Sequence, residues 1–437
     1  MVNGIDRSGV RARLKIAVVG TGIAGNVVAH HLHRHHDVTV FEANGYIGGH
    51  SNTHSIATRD GELNLDTGFI VFNDRTYPHF TELLDRLGVE SQASSMSFSV
   101  QCQRSGLEYN GSSLNALFAQ RRSLLRPSFH RMIRDILRFN REALALLQDD
   151  LPQLTLAEYL ARNGYSREFV QYYLVPMGAA IWSAEPRTLQ KMPARFFIRF
   201  FHNHGLLSLK ERPAWQVIRN GSKSYVQKLI AGHRDRIRLD CPVHSVTRRA
   251  GKVIVHSAGS GAETFDCIFI ASHSDQALRM LSDASGAERE VLGAIPYQAN
   301  EAILHTDRSL MPRRKLAWAA WNYHLPQQDS GPASVTYHLN RLQGLECDEQ
   351  YFVTLNGDRR IREGAIISRA SYEHPVFNTE SVAAQRRLCE INGVRQTWFC
   401  GAYWRNGFHE DGVVSALNAL ADFERNEHAQ LHLQRAG

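Results

Sequence analysis

Short apolar runs alternate with amphipathic stretches along the chain. Residues 14–20 (LKIAVVG) form one such run and predict a strand that is buried on both faces. A glycine turn and a helical pattern (23–36) follow it, and a second strand is predicted at 37–43. Near the other end, a strand at 398–400 precedes a helix that we expect to open at Asp411. This alternation predicts an α/β fold with a parallel sheet.

The middle of the chain extends the same plan. SYVQKLIAG (224–232) predicts a helix, and IRLDCPVHSV (237–246) predicts the strand after it. Two further strands, at 251–259 and 263–272, are expected to return around the turn Gly259-Ser260-Gly261, because no helix follows that glycine pair.

A helical element beginning near Pro127 separates apolar from basic side chains. One face carries Phe129, Met132, Ile133, Ile136, Leu144 and Leu147, and the other carries Arg131, Arg134, Arg138 and Arg141. Such a helix either packs on a core with a solvated outer face, which we favour, or lies on a membrane interface. Arg121, Arg122, Arg126 and the run ARFFIRFFHNHGLL (194–207) keep the membrane alternative open.

Composition narrows the class of protein. The 437 residues are 43% hydrophobic and 21% charged, which excludes a disordered or collagen-like chain. No apolar stretch approaches the roughly 18 to 20 residues that span a bilayer, and the first fifteen residues lack the apolar region of a signal peptide. Six cysteines without a CxxC pair indicate reduced thiols. We therefore expect a cytoplasmic protein, with peripheral contact with the inner face of the membrane left open.

The formal charge of +7 admits nucleic acid, an anionic membrane surface or a phosphate-bearing cofactor as partner. Nucleic acid is disfavoured, because no recognised binding module accompanies the charge. The histidines between His30 and His36 include the pair His31 and His35, one helical turn apart. They lie toward the end of the first predicted helix, where imidazoles face the helix dipole favourably, so we expect no metal there.

The clearest chemical motif is Gly20-x-Gly22-x-x-Gly25, placed between the first strand and helix. Gly20 permits the tight turn, Gly22 lets the backbone approach a pyrophosphate, and Gly25 lets the helix pack closely on the strand. Glu42 ends the second strand, where it can accept both hydroxyls of an adenosine ribose and disfavours a 2′-phosphate. The motif predicts FAD or NAD binding, with phosphates at the helix N-terminus.

A second glycine pair, Gly48-Gly49 in EANGYIGGHSNT (42–53), favours FAD over NAD. Here the chain resembles the amine oxidase and phytoene desaturase superfamily, whose signature continues as E-A-x-x-x-x-G-G-[RH]. It departs from the commoner form at Asn44 and Tyr46, where arginines are usual, and at His50, which replaces the arginine after the glycine pair. We therefore expect backbone amides and His50 to serve the pyrophosphate. The resemblance implies a Rossmann-like FAD-binding domain with an inserted α+β substrate domain.

The C-terminal block TWFCGAYWRNGFHEDGVVSALNAL (397–420) resembles the superfamily's second flavin motif. The resemblance implies that Gly401, Asp411, Gly412 and Val413 lie at the flavin, and that Val243 contacts the adenine through its main chain. The acid that usually follows the strand glycine is missing, since Ala402 stands there. The predicted FAD-binding residues are Gly20, Gly22, Ile23, Ala24, Gly25, Glu42, Ala43, Gly48, Gly49, His50, Gly68, Phe69, Val243, Gly401, Asp411, Gly412 and Val413.

These motifs divide the chain into two expected domains. Residues 14–75, 216–292 and 390–430 are expected to bind FAD, and 76–215 with 293–389 to form the substrate or cap domain. Residues 1–13 and 431–437 are expected to be tails.

From about Leu14 to Leu420 the chain also resembles a narrower group of bacterial amine-oxidase-like flavoproteins. The resemblance rests on blocks such as LDTGFIVFNDRTYPHF (65–80), LVPMGAAIWS (174–183) and FFHNHGLLS (200–208). Members are often encoded beside cyclopropane-fatty-acid synthases. This implies an FAD-dependent oxidoreductase that oxidises, dehydrogenates or isomerises a lipid acyl chain, with that synthase as a possible partner. A flavin amine oxidase and a non-catalytic flavoprotein accessory to the synthase remain the alternatives.

Catalytic candidates are few, because a flavin supplies the hydride chemistry and the protein positions the substrate. His409, Glu410 and Trp404 stand beside the C-terminal motif, and His409 is a candidate for proton transfer near neutral pH. Lys315 is the candidate for a lysine that holds a water at the flavin, as the resemblance implies for true amine oxidases. Trp182 is expected either to wall the pocket or to belong to the core.

Overall fold

The computed structural model describes residues 13–58, 61–148, 154–208, 210, 212–327, 332–357 and 360–436, with side chains up to Glu427. Its strands are β1 (Lys15–Val19), β2 (Asp37–Phe41), β3 (Thr53–Thr58), β4 (Gly61–Asp66), β5 (Val71–Phe72), β6 (Ser91–Ala93), β7 (Phe98–Cys102), β8 (Glu108–Asn110), β9 (Gln216–Ile218), β10 (Ile237–Arg238), β11 (Val243–Arg249), β12 (Lys252–Ser257), β13 (Gly261–Phe265), β14 (Cys267–Ile270), β15 (Tyr297–His305), β16 (Trp321–Leu325), β17 (Ser334–His338), β18 (Phe352–Leu355), β19 (Ile366–Pro375) and β20 (Thr397–Phe399).

The α-helices are α1 (Ile23–Leu32), α2 (Pro78–Leu87), α3 (Leu114–Leu117), α4 (Pro127–Glu142), α5 (Leu156–Arg162), α6 (Arg167–Phe169), α7 (Val175–Trp182), α8 (Pro186–Leu189), α9 (Ala194–Asn203), α10 (Lys223–Ile230), α11 (Ser274–Met280), α12 (Gly286–Gly293), α13 (Leu339–Leu342), α14 (Thr379–Gln385) and α15 (His409–Ala436).

A five-stranded parallel sheet is built from both ends and the middle of the chain, in the order β10-β2-β1-β14-β20. Its central strand β1 is apolar on both faces: Ile16 and Val18 pack on one side and Ala17 and Val19 on the other. This is why the segment has an unbroken apolar pattern. The predicted α/β fold with a Rossmann-like sheet is confirmed, while the exact domain boundaries stay a prediction.

The two faces of the parallel sheet are covered differently. Helices α1, α2, α10 and α15 share one core with β1, whereas the antiparallel sheet β11-β12-β13 and helices α11 and α12 cover the other face. The return at Gly259-Ser260-Gly261 is the turn between β12 and β13, as predicted. The single strand expected at 263–272 is wrong: it divides into β13 of the antiparallel sheet and β14 of the parallel sheet. The single strand expected at 237–246 is wrong: Asp240 takes a left-handed φ of 49° and divides it into β10 and β11.

A second, seven-stranded sheet has the order β19-β15-β18-β17-β16-β7-β8, with one parallel pair, β16 and β7. Helices α4 to α9 pack against it through a large aromatic core that includes Phe129, Phe139, Phe169 and Phe197. The buried face of α4 belongs to this core, which confirms the favoured interpretation of that helix. No helix among the described residues is long and apolar enough to cross a membrane.

Candidate active site

A cavity of about 1160 Å³ opens between the carboxyl ends of the parallel strands and the second sheet with its helices. Ligands of open α/β sheets bind at this edge, where loops converge. Thirteen of the predicted cofactor-binding residues line the cavity: Gly20, Gly22, Ile23, Ala24, Glu42, Ala43, Gly48, Gly49, His50, Gly68, Phe69, Val243 and Gly401.

The first glycine turn has the geometry that a pyrophosphate needs. Gly20 takes a φ of +98°, and a Cβ on Gly25 would lie 2.0 Å from the carbonyl oxygen of Gly20, so α1 packs directly on the turn. A Cβ on Gly22 would meet no atom within 4 Å. Helix α1 begins at this open backbone without a side-chain cap, and its first amide groups are therefore available to an anion.

Glu42 is fixed at the end of β2 with its carboxylate on the cavity wall. Oε2 accepts from the N–H of Thr21 at 2.9 Å and from its hydroxyl at 2.5 Å. Oε1 accepts from the N–H and side-chain amide of Asn44, at 2.8 and 2.9 Å. This places an immobilised acceptor beside the phosphate loop, as ribose recognition requires.

The second glycine pair brings His50 to the cavity. Gly48 and Gly49 take φ values of +128° and +58°, which only glycine adopts without strain. The His50 ring stacks on Tyr372 with centroids 4.8 Å apart, and its buried Nε2 has no hydrogen-bond partner among the described residues. Burial lowers the pKa of His50 well below its usual value. Burial therefore favours the neutral imidazole, whose Nε2 is available for a hydrogen bond, and contact of His50 with the pyrophosphate stays a prediction.

The segment that follows β4 packs against the loop that carries His50. Phe69 donates its N–H to the carbonyl of His50 at 2.7 Å, and a Cβ on Gly68 would lie 2.3 Å from that oxygen. Asp66 is buried below them and accepts from Thr53 and Ser222 at 2.6 to 2.9 Å. Burial raises the pKa of Asp66 to about 6 despite these hydrogen bonds.

His409 lies at the start of α15 and lines the cavity. Its ring stacks on Phe69 at 3.8 Å, and Nε2 is 2.6 Å from the hydroxyl of Tyr225, which in turn is 2.5 Å from the hydroxyl of Ser51. Burial lowers the pKa of His409 to about 3. Burial therefore favours a neutral His409 that is firmly oriented by Tyr225, and its role in proton transfer stays a prediction.

The other half of the cavity is formed by the seven-stranded sheet and its helices, and we call it the cap-side wall. Its lining is mainly apolar and aromatic: Met96, Phe98, Tyr173, Met177, Ile181, Trp182, Phe200, Leu206, Trp215, Trp321, Tyr337, Leu355, Phe377 and Phe408. Trp182 thus belongs both to the wall and to the aromatic core, because its ring also packs on Phe200 at 4.6 Å. Within the described lining of the whole cavity, the carboxylates are Glu42 and Glu373, and Glu373 is held by His273 at 3.1 Å.

Comparison with known proteins identifies the family to which a chain with this site belongs. Residues 23–338, more than half of the chain, match the family described as flavin containing amine oxidoreductase. The chain belongs to this family. It is a flavin-dependent oxidoreductase with FAD as its cofactor, and the glycine turns, the open start of α1 and the fixed Glu42 supply a cradle that fits the dinucleotide. No curated protein matches the chain.

Solved structures of this flavin amine oxidoreductase fold are similar over nearly the whole chain. A CLA-producing fatty acid isomerase from P. acnes has a TM-score of 0.65 at 16% identity and covers 94% of this chain and 98% of its own. Cyclohexylamine oxidase from Brevibacterium oxydans IH-35A has a TM-score of 0.69 at 16% identity, with 95% and 100% covered. Reduced UDP-galactopyranose mutase has a TM-score of 0.64 at 14% identity, with 93% and 94% covered. At these identities the similarity establishes the fold alone.

Three catalytic candidates of the flavoenzyme are not brought to the cavity lining. Glu410 accepts from the N–H groups of His79 and Phe80 at 3.1 and 2.9 Å, so it caps α2. Trp404 is buried in the core beneath the parallel sheet, beside Tyr403. Lys315 is exposed on the outer surface. Glu410, Trp404 and Lys315 are therefore withdrawn as catalytic residues, because none of them lines the cavity.

Four predicted FAD contacts also lie behind the lining. Gly25 and Gly412 serve packing, since a Cβ on Gly412 would lie 2.6 Å from the side chain of Ile23 in α1. Val413 is in the core, and Asp411 accepts from the N–H groups of Asn406 and Phe408 at 3.1 and 2.9 Å. The side chains of Asp411 and Val413 therefore hold the start of α15 and do not line the cavity.

Several contributors to the flavoenzyme's site carry no sequence signal of their own. Tyr225 is one apolar-face residue of an ordinary amphipathic helix, and its partner His409 is 184 positions away. Tyr372 and His374 lie on a strand of the second sheet, and only tertiary structure brings them within 5.2 Å of His50. Thr21 and Asn44 stand inside the recognised motifs, where an acceptor such as Glu42 gives a reason to expect donors nearby.

Proposed function

We propose that this flavin-dependent oxidoreductase acts on the acyl chain of a lipid or fatty acid. The observation that carries the proposal is the cap-side wall, where aliphatic and aromatic side chains bound one continuous cavity with the cofactor loops. A hydrocarbon chain gains about 0.8 kcal/mol for each methylene that such a wall removes from water. A fold relative that is named as a fatty acid isomerase adds support.

Bound FAD supplies a hydride acceptor, and the residues of this chain position the substrate against it. Met177, Ile181 and Phe200 exclude water from the substrate half of the cavity. His409 and Phe69 form a stacked pair. The pair lies at the C-terminal motif, where the cofactor half of the cavity meets the cap-side wall. Since the pKa of His409 is lowered to about 3, this pair offers hydrogen bonding and shape, without a fixed charge, to a neutral reacting carbon chain.

The test is anaerobic mixing of the purified holoenzyme with unsaturated fatty acids and acyl-phospholipids, followed by the visible spectrum and by product analysis. Dehydrogenation bleaches the flavin in proportion to product, whereas isomerisation of a double bond gives product without net bleaching. Ile181→Trp fills the cap-side wall and is expected to abolish turnover with FAD still bound. Leu137→Trp, at an exposed position of α4, is the matched control and should leave turnover unchanged.

A flavin amine oxidase is the second candidate, favoured by the family match and by the similarity to cyclohexylamine oxidase. Hydrogen peroxide release on adding cyclohexylamine or putrescine, with no product from lipids, would replace the first proposal with this one. Against it, Glu373 on β19, the carboxylate of the cap-side wall among the described residues, is already held by His273 at 3.1 Å and is not free to meet an ammonium group. The accessory role beside a cyclopropane-fatty-acid synthase stays a prediction, and turnover by the protein on its own would exclude it.

A further inference from the structure

Four leucines are exposed to solvent on neighbouring segments in the part of the fold that contains the seven-stranded sheet. Leu114 is 76% exposed, Leu124 49%, Leu125 87% and Leu316 47%. Leu114 begins α3, Leu124 and Leu125 end the 3₁₀ turn Arg121–Leu125, and Leu316 is central in the 3₁₀ turn Lys315–Ala317, which contacts α3. Single exposed leucines need no explanation, but a group of them indicates an interaction surface.

Cations surround these leucines. Arg121, Arg122, Arg313, Arg314 and Lys315 are all exposed, and the ion pair of Arg314 with the buried Glu108, at 3.3 Å, is the one that they make among the described residues. Glu108 also accepts from the N–H groups of Arg313 and Arg314, which fixes this turn. The leucines and cations together form what we call the leucine–arginine patch.

The arginine stripe of α4, by contrast, is half neutralised, because its four arginines meet two carboxylates in ion pairs among the described residues. Arg131 pairs with Glu168 at 3.4 Å, and Arg138 and Arg141 both pair with Glu142, at 2.8 and 3.0 Å. The apolar face of α4 is occupied by the core. The larger excess of positive charge, next to a group of exposed aliphatic side chains and not a single one, is therefore found at the leucine–arginine patch.

We propose that the leucine–arginine patch docks the enzyme onto an anionic lipid surface. Exposed leucines enter the boundary between headgroups and acyl chains, while the cations meet lipid phosphates and carboxylates. This occupant fits better than nucleic acid or an acidic protein, because four protruding leucines gain nothing from a phosphate backbone or from solvated carboxylates.

The patch is directly connected to the cap-side wall. Gly111, three residues before Leu114, donates its N–H to the carbonyl of Phe98 at 3.1 Å, and Phe98 lines the cavity. Trp321, six residues after Lys315, lines it as well. Docking would place the wall-forming strands β7 and β16 next to a source of acyl chains, so the inference deepens the proposed function and rests on it for the identity of the substrate.

The experiment is vesicle flotation of the holoenzyme with phosphatidylcholine alone and with phosphatidylcholine containing one third phosphatidylglycerol. We expect binding to the anionic vesicles that falls with salt, and little binding to the neutral ones. Arg313→Glu/Lys315→Glu should weaken binding at least tenfold, since one cation near an anionic surface contributes about fivefold. Leu124→Ser/Leu125→Ser should also weaken it at least tenfold, since it removes two of the apolar side chains that enter the membrane boundary. Arg34→Glu/Lys191→Glu makes the same charge change at exposed positions outside the patch and should retain wild-type binding to within a few fold.

Equal loss in the control pair would mean that net charge, and not this surface, drives binding. Wild-type binding by both patch variants, or no binding of the wild type to anionic vesicles, would overturn the proposal even if a protein were found on this face. Melting temperatures and FAD spectra identical to wild type establish that the variants are folded. Flotation needs no turnover, so a failure here is distinguishable from a failure to transform dissolved fatty acids.

Discussion

Glu42 accepts four hydrogen bonds from Thr21 and Asn44 while its carboxylate still faces the cavity. Glu42→Gln places an amide NH₂ against one of these donor pairs and removes the charge that favours a ribose hydroxyl. A hydrogen bond to a charged group is worth about 1.5–3 kcal/mol, so we expect FAD affinity to fall ~10- to 100-fold. Titration of apoprotein with FAD, followed by fluorescence quenching, measures it. Asp37→Asn, an exposed acid on the same strand, should have no effect.

Glu410 holds the start of α2 through two backbone N–H groups and belongs to the first turn of α15. Glu410→Gln keeps the shape but removes the charge that offsets the positive end of the α2 dipole, so we expect a loss of about 1–2 kcal/mol in the free energy of unfolding. Urea denaturation measures this. Turnover per bound FAD should stay at the wild-type value, and a drop of more than tenfold would restore Glu410 as a catalytic residue.

At the scale of the element, the two glycines Gly22 and Gly25 have different roles. Gly22 serves FAD binding, and Gly25 serves folding. A methyl group on Gly22 meets no protein atom and points into open space, whereas one on Gly25 collides with the backbone of Gly20. We expect Gly22→Ala to keep its melting temperature without FAD and to lose at least tenfold in FAD affinity. Gly25→Ala should lose soluble folded protein, or most of its stability, with or without FAD. Calorimetry of both apoproteins decides, and equal melting temperatures would contradict this division.

The same elements mark how far the sequence predicts the structure. The turn at Gly20 to Gly25 and the acid at Glu42 were predictable because strand, turn and helix are local, and their chemistry depends on short spacings. Lys315 and Trp404 were misplaced because a position relative to the flavin depends on packing between segments hundreds of residues apart. The contact of Tyr225 with His409 depends on packing in the same way. A pattern along one element reports which face is buried, but not which other segment covers it.

At the scale of the whole molecule, seven histidines share a property that predicts how the protein responds to acid. Burial lowers the pKa to about 4 for His204, His233, His305, His338 and His374, and to about 3 for His324 and His409. An unfolded histidine titrates near 6.5, so between pH 6.5 and 4 the unfolded chain binds more protons than the folded one. The contribution of the neutral histidines to the free energy of unfolding is therefore fully present above pH 6.5 and is lost as the pH falls.

The size of this effect sets the pH of unfolding. Each histidine costs about 1.4 kcal/mol for each pH unit below 6.5, so seven cost on the order of 10 kcal/mol at pH 5.5. Asp66 and Asp411, whose pKa values burial raises to about 6, act in the opposite direction but are only two groups. Since native domains are stable by about 5–15 kcal/mol, we expect cooperative unfolding between roughly pH 6 and 5.

Urea unfolding at a series of pH values measures the protons taken up on unfolding. His305→Gln/His324→Gln retains polar partners for Thr354 and Thr336 and should lower this uptake by about two. His35→Gln, at an exposed position, is the matched control for the loss of an imidazole. A chain that keeps its native tryptophan fluorescence at pH 4.5 would show that these imidazoles accept protons within the fold. The polar groups around them, the hydroxyls of Thr336 and Thr354 among them, would then have to stabilise the charge.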